Sequence, residues 1–262
     1  MSKKIASRPA PALRRRGPTR EQTPFILLFC EGKNTEPAYF DALVLWLKLR
    51  SVRVLPIGDQ GFQRSVVENA IKQKDSYRLY PDDPVWCVFD ADPKPDQKSN
   101  FNEAIALAEA NGLRVAWSNQ AFEYWLLLHF QDHTGGAMPR ADYHDALKRH
   151  LTPLGVVYDG GRSKQIPANL FAHFLASDET DRPHQRRRLV LAHRRAARNH
   201  RQWQQQTVSP AAMESCTTVY ELVEMLLRLA LPTVLPATGE APRTLSVEEM
   251  VNQLAEAASP GR

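Results

Sequence analysis

No apolar run in this 262-residue sequence approaches the roughly 20 residues a membrane-spanning helix needs, so the chain reads as one that stays out of the bilayer. Cysteine is scarce. Cys30, Cys87 and Cys216 are odd in number and far apart, which excludes a disulfide framework and suits reduced thiols. The amino terminus lacks the continuous apolar stretch and small-residue cleavage site of a secretory signal, so the cytoplasm is the expected location. Neither Gly-X-X-X-X-Gly-Lys-Ser/Thr nor Gly-X-Gly-X-X-Gly occurs, so any nucleotide hydrolysis must come from a partner. His184, His193 and His200 have no carboxylate or cysteine at ligand spacing, which excludes a zinc site there. The sequence carries no internal repeat.

Acid is missing from two stretches. Residues 1–20 hold seven Lys and Arg, three Pro and no Asp or Glu, so residues 1–22 read as a basic arm that cannot bury itself. Arg182 to Arg201 carries eight arginines, again with no acid. Such a block attracts phosphate, and Arg186, Arg187, Arg188, Arg194 and Arg195 are its candidates for gripping a nucleic-acid backbone. The competing reading is a solvated face, or one paired with a partner's acids. The net charge of +5 is small beside this local excess.

A chain of this length buries roughly 70–75% of its unfolded surface, enough for a core without staples. Phe25–Cys30, bounded by Pro24 and Glu31-Gly32, reads as a buried strand, and Asn34-Thr35-Glu36-Pro37 then opens a helix. Val52–Ile57, Val85–Phe89 and Leu113–Trp117 are further strands, with helical spacing over 63–74 and 100–111 between them. Ala121–Phe130 is apolar almost all round and predicts a buried helix. Alternating strands and helices predict an α/β fold with a four-stranded, mainly parallel sheet. The expected units are a catalytic domain over 23–131, a helical Arg-rich appendage over 132–231, and a tail over 232–262 with one weak helix from about Val247 to Ala258.

The first strand ends in Glu31 and the third in Asp90 and Asp92, and alternate residues of an extended segment project to the same side. Three carboxylates about 4 Å apart would repel by roughly 4 kcal/mol per pair at an effective dielectric of 20, so they call for a cation. Mg²⁺ suits hard oxygen donors and phosphate, with Mn²⁺ as the alternative, and such ions serve phosphodiester cleavage. The order strand–Glu-Gly, helix, strand, helix, strand–Asp-Ala-Asp resembles the TOPRIM domain. A haloacid-type phosphatase would instead place its aspartates after the first strand.

The segments Phe25–Phe40 (FILLFCEGKNTEPAYF), Val85–Asp92 (VWCVFDAD), Phe101–Ile105 (FNEAI) and Ser118–Phe130 (SNQAFEYWLLLHF) together resemble the RloB family, which includes the AbiLii abortive-infection proteins. Ser209–Glu224 looks like that family's closing segment with an apparent insertion. The resemblance covers about residues 25–225. It implies a TOPRIM-like nuclease of antiphage defence, working with a separately encoded ATPase on nucleic acid, with RNA and in particular transfer RNA as the suggested target.

Carried over by position, Glu31 becomes a metal ligand or general acid/base, and Asp90 and Asp92 become metal ligands. Lys33 is placed to contact the scissile phosphate. Glu36 orients Lys33 or serves as an outer ligand, unless it is simply an acid favoured near a helix start. Glu123 is a fourth acid at the site or a buried carboxylate satisfied by local donors. Asn119 reads as a helix cap, and His129 as a core histidine. Tyr158, Arg162 and Lys164 resemble the family's Tyr-X-Lys element, with Arg162 or Lys164 as phosphate contacts. Trp203 is the one candidate for base stacking. Two other classes stay open: a TOPRIM-shaped module that binds nucleic acid or docks on the ATPase without cutting, and a small-molecule phosphohydrolase. DNA against RNA is also open, as is pairing into a homodimer.

Overall fold

The computed structural model describes residues 24–58, 63–91, 98–134, 136–159, 166–167, 169–231 and 244–258. The basic arm, Asp92, Arg162 and Lys164 lie outside the described residues.

The chain forms one mostly parallel sheet with helices on both faces. Five apolar residues without a break make the fully buried strand β1 (Ile26–Cys30). Helix α1 (Thr35–Trp46) follows, with Asn34 at its N-cap position and Pro37 in its first turn, where a missing N–H costs nothing. Then come β2 (Val52–Pro56), α2 (Gln63–Lys74), β3 (Val85–Ala91), α3 (Lys98–Ala110) and β4 (Arg114–Asn119). Gly112, at φ +69°, closes α3 in the left-handed conformation that glycine adopts readily. The strand order is β2-β1-β3-β4-β5, and β5 (Cys216–Thr217) runs antiparallel to β4. The sheet therefore has five strands rather than the expected four. A two-residue strand carries no periodicity, and its register comes from Ser118 and Asn119 opposite, not from its own sequence.

Alternation along the strands feeds two cores. Ile26, Leu28 and Cys30 of β1 join Trp86 and Val88 of β3 on one face. Leu27 and Phe29 join Val85, Cys87 and Phe89 on the other. The second face is covered by α2 and α3, through Val66, Val67, Ala70, Phe101, Ala104 and Ala108. The first face takes α1 and the helices that follow the sheet: α4 (Glu123–Leu127), α5 (Arg140–Leu151), α6 (Leu170–Leu175), α7 (Arg188–Gln204), α8 (Val219–Ala230) and α9 (Val247–Ala258). Residues from α1 and from α5 to α9 share that core.

The buried helix expected over 121–130 is α-helical only at Glu123–Leu127. Beyond it, His129 and Phe130 donate their N–H groups to Leu126 and Leu127, three residues back, which tightens the turn. The Leu128 carbonyl, free of the helical ladder, accepts from Arg195 at 2.7 Å. Asn119 does not cap this helix: Phe122 occupies that position, and the Asn119 amide donates to the Ala211 carbonyl at 3.2 Å. Trp203 packs against the second core, and its ring N–H donates to Glu214, so it is structural.

Candidate functional site

Beta1 lies between β2 and β3, so the chain leaves it on one side to make β2 and crosses over it to make β3. The crossover helices take opposite faces, α1 on the first core and α2 on the second. Such a reversal opens a crevice at the carboxyl ends of the two strands, where open α/β sheets bind their ligands. Glu31 and Asp90 stand at those ends.

The two acids are joined through the backbone. Cys30 is in register with Val88, and the Glu31 N–H continues the ladder to the Val88 carbonyl at 2.9 Å. The Glu31 carboxylate then accepts the Asp90 N–H at 3.0 Å. Asp90 is held from the other side as well: the first residue of α2, Gln63, donates its amide to the Asp90 carbonyl at 2.8 Å. Gln63 is buried, and its own Oε1 has no hydrogen-bond partner among the described residues.

A second pair of acids faces the same point. Glu36, in the first turn of α1, is buried, and its carboxylate lies against Gly32, where any Cβ would collide with it. The glycine of the Glu-Gly pair thus makes room for Glu36. Glu123, at the start of α4, is buried; it accepts from the Tyr158 hydroxyl at 3.1 Å and stands 3.6 Å from His144 Nε2. Lys33 is exposed, with its alkyl chain across Gly58, which adopts a φ of +68° that a bulkier residue would resist.

The electrostatics tie these groups together. Burial pushes the Asp90 carboxyl well above the usual carboxylate range, Glu36, Glu31 and Glu123 push it further, and Arg140 opposes them. Burial alone would drag the Arg140 guanidinium down, yet Asp90, Glu123, Glu36 and Glu31 hold it above its ordinary value. Arg140 is the first residue of α5 and is fixed by its N–H on the Gln120 side chain, 3.1 Å away. It therefore serves four carboxylates. The Tyr158 hydroxyl is raised, first by burial and then by Glu123.

Oxygen donors of this kind suit a hard divalent cation, and the excess of negative charge at Asp90 is what such an ion relieves. Among the described residues, however, no three His, Cys, Asp or Glu side chains are grouped closely enough to hold one. The third acid of the sequence pattern, Asp92, lies outside the described residues. The buried thiols are no substitute: burial pushes Cys87 and Cys216 up to about 12.

Glu31, Glu36, Asp90 and Glu123 are thus brought to one electrostatic cluster, and Lys33 borders it on the loop after β1. Arg140 and Gln63 belong to the cluster and no motif announces them. The signal present in the sequence is weak: a helix-initial arginine after Pro139 and a glutamine opening a helix.

The arginine block has mostly internal partners. Arg186 makes a two-bond pair with Asp181, both at 3.1 Å. Arg187 donates to the Leu175 carbonyl, and Arg188 donates to that of His173 while lying over the Phe130 ring. Arg195 donates to Leu128, and Arg194 reaches Glu248 at 3.4 Å from an exposed position. Among the described residues no helix is long and apolar enough to cross a membrane.

No curated protein and no solved structure matches the chain. The sequence profile of the RloB-like proteins matches residues 26–226, a span that takes in β1 and Glu31, both strands of the acidic crevice, and α8 almost to its end. This chain belongs to the RloB-like protein family.

Proposed function

We propose that the chain is a divalent-metal-dependent nuclease that hydrolyses phosphodiester bonds of RNA or DNA, acting as the toxic effector of an antiphage abortive-infection system with a partner ATPase. The observation that carries this reading is the Glu31 carboxylate fixed on the Asp90 backbone, which sets acids from two strands at one crevice. Glu31 and Asp90, together with Asp92, are the residues that would hold Mg²⁺ or Mn²⁺. When bound, such an ion supplies charge neutralisation and an activated water. The chain's own part is positional. The Glu31 carboxylate is oriented by β3 and that of Glu123 by Tyr158, and Gln63 fixes the Asp90 backbone, so these acids need little rearrangement when a cation arrives.

Arg140 and Lys33 are the cations beside the cluster. Hydrolysis forms a bond from water oxygen to phosphorus and breaks the ester bond, passing one proton to a carboxylate and returning one to the leaving oxygen.

The test is cleavage by the purified protein, alone and with its ATPase, of RNA and DNA in Mg²⁺ or Mn²⁺. Fragments from the wild type and none from Glu31→Gln are expected. If no substrate is cut under any condition and Glu31→Gln still protects cells, the chain is a binding module and the nuclease reading is wrong.

A further inference from the structure

The acidic crevice creates a difficulty for any nucleic acid: four carboxylates repel the polyanion they are proposed to cut. The attraction must come from elsewhere in the chain. Helix α7 borders a groove of about 550 Å³ whose charged lining is Arg194, Arg195, Arg198 and Arg201 with Asp132 and Asp181. The two acids do not neutralise it. Asp181 is already taken by Arg186 in a two-bond pair. Asp132 is taken by Arg198 at 2.5 and 3.1 Å, and the other donors of that guanidinium go to the Asn199 side chain and the His133 carbonyl, so this pair cancels and Arg198 braces the wall of the groove. Arg195 is anchored by the Leu128 carbonyl and, among the described residues, has no carboxylate within ion-pair distance, and Arg194, which reaches Glu248 at 3.4 Å, is more than half exposed. Arg201 is exposed and makes no hydrogen bond or ion pair among the described residues.

We infer that this groove is a phosphate-binding track for the backbone of the nucleic acid, separate from the acidic crevice and resting on the nuclease reading only for what happens to the bound strand. Arg194 and Arg201 are spaced i, i+7, two turns apart on one face of α7, with Arg195 beside them in the groove lining. Seven residues of helix span about 10 Å, which matches about three phosphates of one strand at about 3.4 Å of rise each. The three cations left to face the groove, Arg194, Arg195 and Arg201, are arginines, whose forked donors suit phosphate oxygens in pairs. The track is also coupled to the crevice by a short rigid element. Arg195 holds the residue just after α4, and Glu123 begins that helix five residues earlier. The segment between the two contacts, Glu123 to Leu128, is about 8 Å long along its axis. Arg186, Arg187 and Arg188 brace the track and do not line it.

Fluorescence anisotropy with a labelled single-stranded RNA, the matching DNA and a polyglutamate peptide tests this, using the full chain carrying Glu31→Gln so that nothing is cut. Three strand contacts predict a log–log salt slope near about −2. R194Q/R201Q, at two exposed positions, is expected to weaken oligonucleotide binding about tenfold at 0.1 M salt and to flatten the slope by about 1.4. RNA and DNA arms that respond alike mark a backbone reader, and a larger loss on one of them names the substrate. Unchanged affinity and slope on both overturns the track, as does a parent protein that binds neither. Loss confined to the polyglutamate arm overturns it in favour of an acidic protein partner. If the variant loses binding but no protein form ever cuts, the track stands and the nuclease reading falls.

Discussion

The Asp90 backbone N–H donates to the Glu31 side chain at 3.0 Å, so the acid ending β1 is aimed by the strand that carries the second acid. A hydrogen bond to a charged group is worth about 1.5–3 kcal/mol, and a glutamine oxygen accepts the same N–H. Glu31→Gln is therefore expected to unfold in urea within about 1 kcal/mol of wild type while cleavage drops at least about a hundredfold. Glu31→Ala should lose about 1–2 kcal/mol as well. Equal stability losses for the two variants would mean the hydrogen bond does not orient the acid.

Asp90 sets a pH dependence of definite sign. Its folded-state pKa lies above the ordinary 3.8, chiefly through burial, so the folded protein holds a proton the unfolded chain gives up. Stability from this group is greatest below 3.8 and declines as pH rises through the raised folded value. Asp90→Asn removes the decline, and a divalent cation offsets it. Melting curves from pH 4.5 to 8 should show Asp90→Asn overtaking wild type as pH rises. Removing Mg²⁺ with a chelator should lower the wild-type midpoint and leave that of Asp90→Asn in place.

Gly32 is required by Glu36. A methyl at position 32 collides with the Glu36 carboxylate, and overpacking of this kind costs about 1–3 kcal/mol. Gly32→Ala is expected to show that loss, and the same substitution in a Glu36→Ala background should cost about 0.5 kcal/mol or less. A double-mutant cycle with no coupling would place the conflict elsewhere.

Arg140 is the shared counterion of Asp90, Glu123, Glu36 and Glu31. Replacing it with glutamine leaves that charge opposed by no other guanidinium among the described residues, and breaking such a partly buried arrangement costs about 3 kcal/mol. Because the repelling acids must be ionised, the loss should be larger at pH 8 than at pH 5, and millimolar Mg²⁺ should recover part of it. A deficit independent of both pH and Mg²⁺ would make Arg140 a packing residue.

These relationships were unevenly legible. The apolar runs Phe25–Cys30 and Val85–Phe89 announced β1 and β3 because a strand buried on both faces must be apolar throughout, and Glu31 and Asp90 follow them directly. That the two strands are neighbours could only be expected from the alternating pattern, and their hydrogen-bonded register carries the candidate site. Arg140 is invisible beforehand because its role comes from four acids supplied by four other elements. The arginines of 182–201 were plain as charge, and Asp181 stands just before them, but Asp132 and Glu248, the partners of Arg198 and Arg194, lie 66 and 54 residues away in sequence. Asn119 looked like a helix cap because its partner, the Ala211 carbonyl, comes from a turn 92 residues away.

His129 provides an acid-side test of the first core. It is fully buried among Tyr39, Trp125 and Phe174, its Nδ1 bonds the Trp125 carbonyl at 3.0 Å, and burial lowers its pKa from 6.5 to about 3, with Arg195 and Arg188 adding to the effect. The unfolded chain takes a proton below 6.5 that the folded core refuses, so His129 costs stability as pH falls from 6.5 toward 3, by about 1.4 kcal/mol per pH unit. His133, His150, His193 and His200 are also lowered and act with the same sign, while Asp90 acts against them. A difference measurement cancels these shared contributions. His129→Phe keeps an aromatic ring in the cluster and leaves the Trp125 carbonyl without this donor, so it should be less stable than wild type by about 1–3 kcal/mol at pH 7.5. At pH 5 the gap should have narrowed by about 2 kcal/mol, because only wild type carries the histidine that the unfolded state protonates. Urea unfolding at the two pH values decides it: parallel stability curves would show that His129 accepts its proton inside the folded protein.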